Sequence, residues 1–170
     1  MPDPHLIEWL RQLRGVEREY FDFRGQHRRV PDEIVENILN AFGHDSDDDA
    51  VLRVDAERLA EKDWRRVLQP VNVIRPSRSR SIMFTVLRPL LKSVVWQILL
   101  ETGETLEGSV DPDRLPVVDE RYIDDFHFCR LALELPEDVP LGYHRLRLFD
   151  PEAHLLGESS LIMVPERCYE

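Results

Sequence analysis

The stretch Val94-Val95-Trp96-Gln97-Ile98-Leu99-Leu100-Glu101-Thr102-Gly103 decides the reading of this chain. Val94, Trp96, Ile98 and Leu100 alternate with less apolar neighbours, the period of a strand with one face turned to a core. Glu101-Thr102-Gly103 then reads as a hairpin turn, because glycine adopts the positive φ that tight turns require. Trp96 falls in mid-strand and is expected to anchor the core. The same period recurs on both sides of this segment. Cys129, Leu131, Leu133 and Leu135 alternate in one strand, and His144, Leu146 and Leu148 oppose Tyr143, Arg145 and Arg147 in another. Strands are predicted at residues 70–75, 81–88, 93–100, 104–110, 126–135, 142–149 and 159–164, with Asp150-Pro151 marking a further turn. Seven short strands separated by turn signals predict a two-sheet sandwich.

Before Pro70 the period is helical. Leu6, Trp9, Leu10 and Leu13 form one stripe, closed by Gly15. Residues 16–30 read as irregular. A second helix starts at Pro31, carries Asp32 and Glu33 in its first turn, and stops at Gly43, with Ile34, Val35, Ile38, Leu39 and Phe42 as its apolar face. A third helix is predicted after Asp55 as N-cap, with Leu59, Ala60 and Trp64 on its stripe. Between the last two, residues 44–49 (His-Asp-Ser-Asp-Asp-Asp) read as an exposed connection. The predicted class is therefore α+β, mainly β. A short helical N-terminal segment (residues 1–68) precedes an immunoglobulin-like antiparallel β-sandwich of about seven strands (residues 69–165).

Composition narrows the partners. With 42% apolar and 32% charged residues, the 170-residue chain is globular, and a formal net charge of −11 argues against nucleic acid, whose binding needs clustered Lys and Arg. Arg75, Arg78 and Arg80 cluster locally and read as a solvated loop. No apolar run suits a bilayer and no secretory leader is legible, so no membrane partner is expected. Two cysteines give no disulfide framework, which fits a reducing cytoplasm.

Few residues suggest chemistry. Asp45, Asp47 and Asp49 match the first ligand positions of a calcium loop, but Ala50 and Ala56 stand where Gly and a bidentate Glu are needed. His127 and Cys129 share one strand face, half of a metal site, with no second pair in sequence, so no metal is expected and Cys129 reads as a small buried hydrophobe. Asp119, Glu120, Asp124 and Asp125 make the densest late acidic patch, around Arg121-Tyr122, and read as a loop without the paired carboxylates of glycoside chemistry. No catalytic residue is assigned. Among aromatic platforms for a sugar, Trp9, Trp64 and Trp96 lie on apolar faces, leaving Tyr122 as the exposed candidate. Tyr143, at a strand start, reads as a tyrosine corner.

Three segments carry a resemblance. Gly15-Val16-Glu17-Arg18-Glu19-Tyr20-Phe21-Asp22-Phe23-Arg24-Gly25, with the helix to Gly43, is similar to the opening of the long-form bacterial amylomaltases, or 4-alpha-glucanotransferases. Trp64-Arg65-Arg66-Val67-Leu68-Gln69-Pro70-Val71 resembles that family's entry into its sandwich. Pro140-Leu141-Gly142-Tyr143-His144-Arg145-Leu146 and Val164-Pro165-Glu166-Arg167-Cys168-Tyr169 resemble a sandwich strand and the border with the catalytic barrel. The acidic run at residues 45–49 and the spacing around residues 119–125 depart from the family pattern.

The resemblance implies a cytoplasmic enzyme of maltodextrin metabolism that needs no cofactor. Such an enzyme breaks an α-1,4 bond with retention and passes the glucan to another sugar's 4-hydroxyl. It also implies that residues 166–170 start a linker to a (β/α) barrel. A barrel takes roughly 250 residues, so this chain is expected to be inactive alone, with the intramolecular barrel as its partner. Two further readings are a maltodextrin-binding module centred on Tyr122 and a homo-oligomerisation or protein-partner surface.

Overall fold

The computed structural model describes residues 3–44, 48–89 and 91–167. The chain divides into two compact units, Met1–Asp63 and Trp64–Glu170. No helix among the described residues is long and apolar enough to cross a membrane.

The first unit is built on α1 (Pro4–Leu13), α2 (Asp32–Ala41) and α3 (Asp49–Lys62). Asp3 caps α1 by accepting from the His5 N–H, and Gly15 leaves the helix at φ 65°. Leu6 and Leu10 of α1, Val35 and Leu39 of α2, and Leu52 and Ala56 of α3 form its core. Burying each leucine contributes roughly 1.5–3 kcal/mol, which holds together helices too short to persist alone.

Four expectations for this unit are corrected. Residues 16–30 are not irregular: β1 (Glu19–Phe21) and β2 (His27–Arg29) pair as an antiparallel hairpin. The Asp22 carboxylate organises its turn by accepting from the N–H groups of Arg24 and Gln26. The third helix begins at Asp49, capped by Asp48, so Asp55 lies within it rather than ahead of it. Asp55 instead takes a bond at 3.1 Å from Nδ1 of His44, a residue expected in an exposed connection and found buried. The buried face of α2 is also narrower than predicted, since Ile34 and Phe42 are half exposed.

The second unit is a sandwich. Its strands are β3 (Val71–Ile74), β4 (Ser81–Leu87), β5 (Val94–Leu99), β6 (Thr105–Val110), β7 (Val117–Ile123), β8 (Phe126–Glu134), β9 (Gly142–Phe149) and β10 (Leu155–Met163). One sheet has the order β3-β10-β9-β5-β6 and the other β4-β8-β7. All pairings are antiparallel except β3 with β10, which is parallel. Between the sheets pack Ile82 and Phe84, Val94 and Ile98, Cys129, Leu131 and Leu133, Leu146 and Leu148, and Leu161 and Met163. These are the alternating positions that the period of two singles out. Trp96 is half-buried against this core, its indole lying over the bare Cα of Gly108 on β6.

The α+β, mainly β class read from the sequence is the architecture observed. Three details differ. β7 is a strand where a loop was expected. Trp64 is not on a helix stripe: it packs with Ile123 and Phe128 against the three-stranded sheet, with the Arg130 guanidinium 4.3 Å from its ring centre. Tyr143 forms no corner and is 69% exposed. Its neighbour His144 takes the inward position, where Nε2 donates to the Pro140 carbonyl at 2.9 Å and Nδ1 accepts from the Glu101 N–H at 3.2 Å. The Glu101 carboxylate in turn accepts from the Tyr143 N–H at 3.0 Å. Gly142, at φ 140°, permits this arrangement, because a Cβ there would lie 2.5 Å from that carboxylate.

Candidate functional site

Tyr122, His127, Cys129 and the acidic patch from Asp119 to Asp125 all lie on the β7–β8 hairpin. Its turn is Asp124-Asp125, with φ values of 47° and 65°. Two consecutive left-handed residues match the twist of paired strands, and aspartate tolerates that region better than most side chains. The turn sets the register Tyr122↔His127 and Glu120↔Cys129. Directly opposed residues share a face, so Glu120, Tyr122, His127 and Cys129 project together. From the other side, Val86 of β4 opposes Cys129, and the Arg88 N–H donates to the His127 carbonyl, which brings the Arg88 side chain to the same face.

Tyr122 is 72% exposed and stacks flat on the His127 ring, with centroids 4.3 Å apart and planes at 10°. His127 Nε2 lies 3.4 Å from Glu120 Oε2 and 3.8 Å from Cys129 Sγ. Cys129 Sγ lies 3.5 Å from Glu120 Oε1. Arg88 Nε donates to Cys129 Sγ at 2.9 Å, and its Nη2 donates to Glu120 Oε1 at 3.5 Å. Burial pushes the Cys129 thiol up, and the Arg88 guanidinium opposes that push. The bond to Cys129, then the charge of the groups around it, raises Arg88.

Two of the remaining acids of the patch are engaged separately. Asp119 accepts from the Glu120 N–H, and Asp124 pairs with Arg65. Glu120, Asp119 and Asp124 are thus held by different partners. Of the other sequence candidates, Asp49 takes the Asp3 N–H at 2.8 Å and begins α3, while Asp45, Asp47 and Cys168 lie outside the described residues. Arg80 donates to the Pro136 carbonyl at 2.9 Å, and the Arg78 N–H closes a turn onto Arg75. Beside β4 an apolar cavity of ≈ 300 Å³ is lined by Trp64, Val67, Leu87, Leu91 and Phe128. Nothing in the sequence pattern announced it, because its lining comes from four separate segments.

A helical unit is followed by a two-sheet sandwich in which Glu120 pairs with Arg88 and Asp124 with Arg65. Residues 67–165 match the family model described as the MalQ N-terminal beta sandwich domain, and the chain belongs to that family. The solved amylomaltase from Corynebacterium glutamicum is similar at 26% sequence identity and a TM-score of 0.72, over 97% of this chain and 23% of that one. The present chain thus spans about a quarter of the length of that enzyme. No curated protein matches the sequence closely enough to add a second relative.

Proposed function

We propose that this chain is the non-catalytic accessory region of a 4-alpha-glucanotransferase, orienting or shaping a catalytic barrel. That enzyme would transfer α-1,4-glucan segments between maltodextrins in the cytoplasm. The observation that carries this reading is the family match across the whole sandwich, together with a likeness to an amylomaltase that extends over the helical unit as well. The surface fits a docking role. On the outer face of the five-stranded sheet, register places Val73, Ile162 and Tyr143 side by side, next to Val71. Val71, Val73 and Tyr143 are 50%, 61% and 69% exposed, an apolar area that a partner domain would cover.

The test is calorimetry of the chain with maltoheptaose, alongside a disproportionation assay on maltotriose. No heat of binding and no transfer are expected. Micromolar binding would overturn the accessory reading. It would favour a maltodextrin-binding module on the Tyr122 ring, whose stack on His127 fixes an exposed aromatic plane. In that case Tyr122→Ala should abolish the heat. A dimer in sedimentation would favour the homo-oligomer instead.

A further inference from the structure

We propose that Glu120, His127 and Cys129 form a zinc-binding site with three protein ligands and a fourth position open to solvent. Sequence alone supplies His127 and Cys129, two donors on one strand face. The fold adds the third, because β7 places Glu120 opposite Cys129. Zinc takes thiolate sulfur at about 2.3 Å and imidazole nitrogen or carboxylate oxygen at about 2.0–2.2 Å. Tetrahedral angles then set the ligand atoms about 3.4 Å apart for nitrogen to oxygen and about 3.6 Å apart for sulfur to either. The corresponding separations here are 3.4 Å from Nε2 to Glu120 Oε2, 3.5 Å from Sγ to Glu120 Oε1, and 3.8 Å from Sγ to Nε2. The two Glu120 oxygens each face one partner, and one ligand atom from each residue can be chosen so that all three lie within 4.8 Å of one another.

The same geometry argues against a thiol nucleophile. A Cys–His–carboxylate relay needs one ring nitrogen facing the thiol and the other facing the acid. Here Nε2 faces both, so the groups converge on a point rather than form a chain. Access is available: the Glu120 side chain is 45% exposed and that of His127 19%, while Cys129 forms the buried floor. Binding releases the Cys129 proton to solvent, leaving thiolate, carboxylate and neutral imidazole as ligands. Arg88 is the competing cation, held against both sulfur and carboxylate. Its charge disfavours a dication beside it and favours the thiolate.

The full chain, stripped of metal by chelator, is titrated with zinc against a chromophoric competitor and with cobalt(II) while the electronic spectrum is read. One equivalent should bind. Cobalt should give a thiolate charge-transfer band that is lost in Cys129→Ser and kept in Cys168→Ser. Glu120→Gln, at an exposed side chain, should keep the fold by near-UV circular dichroism and weaken zinc by about tenfold or more. Arg88→Gln should tighten it by a similar factor. No bound equivalent, a band that survives Cys129→Ser, or an affinity unmoved by Glu120→Gln would each overturn the site. None of these outcomes bears on glucan binding or transfer, so the site stands or falls apart from the accessory function.

Discussion

His144, not Tyr143, should be the residue that locks the start of β9, and the two can be separated by denaturation. His144 is buried and bridges two backbone groups from different segments, the Pro140 carbonyl and the Glu101 N–H. His144→Ala orphans both. At the low end, each unsatisfied group costs about 1 kcal/mol, and the space left by the ring adds about 1 kcal/mol more. The total is about 3 kcal/mol. With a urea slope of about 2 kcal/mol/M for a domain of this size, the midpoint should fall by about 1.5 M. Tyr143→Phe removes a hydroxyl from a side chain that is 69% exposed, and surface changes of this kind stay within about 0.5 kcal/mol. Its midpoint should move by no more than about 0.25 M. Both substitutions are made in a Trp9→Phe background, so that fluorescence reports only Trp64 and Trp96, which lie in the sandwich. A tyrosine corner would reverse the order. If Tyr143→Phe lowers the midpoint more than His144→Ala does, the role given to His144 is wrong.

Glu8 is held down to about 2, from an ordinary 4.5, chiefly by the bond it accepts from Arg11 against the opposing effect of burial. A carboxylate with a depressed folded value contributes stability above pH 4.5, which is lost as pH falls toward 2, so Glu8→Gln should flatten the acid limb of the helical unit's melting temperature over that window. Leu39→Ala empties a fully buried position among α1, α2 and α3 and should cost about 2–5 kcal/mol, read as loss of helical ellipticity at lower denaturant. At Gly108 an added Cβ would fall on the Trp96 indole, 2.7 Å from Cε2. Gly108→Ala should therefore destabilise by about 1–3 kcal/mol and shift Trp96 emission, despite the better strand propensity of alanine.

Legibility in the sequence followed burial. β5, β8 and β9 were plain because one side chain in two enters the core: Val94 and Ile98, Leu131 and Leu133, Leu146 and Leu148. β7 was not, because it is an edge strand on which only Ile123 is buried. Charges on both faces of an edge discourage pairing with other chains, and they also erase the alternation that marks a strand. The β1–β2 hairpin was hidden for the same reason, all six of its residues being exposed. The start of α3 was misplaced because Asp48 and Asp55 are equally good caps by composition. What separates them is that Leu52 and Ala56, one turn apart, are wanted by the core.

The chemistry on the β7–β8 face was further out of reach, because β7 was not legible as a strand and its pairing with β8 was therefore unread. From Val117 opposite Leu131, an unbroken ladder would place Asp119 opposite Cys129 and turn Glu120 to the Phe128 side of the sheet. The two-residue turn at Asp124-Asp125 instead fixes Tyr122 opposite His127 and Glu120 opposite Cys129, and the bulge between Val117 and Asp119 takes up the one-residue difference beyond them. Two donors at i and i+2 can be read from a single strand, but the third is set by the register of a hairpin whose turn, Asp124-Asp125, lacks the glycine that usually announces one. That one hairpin turn carries both the exposed tyrosine plane and the convergent donors beneath it. The carbohydrate and metal readings of this face therefore rest on the same structural cause, although they call for different ligands.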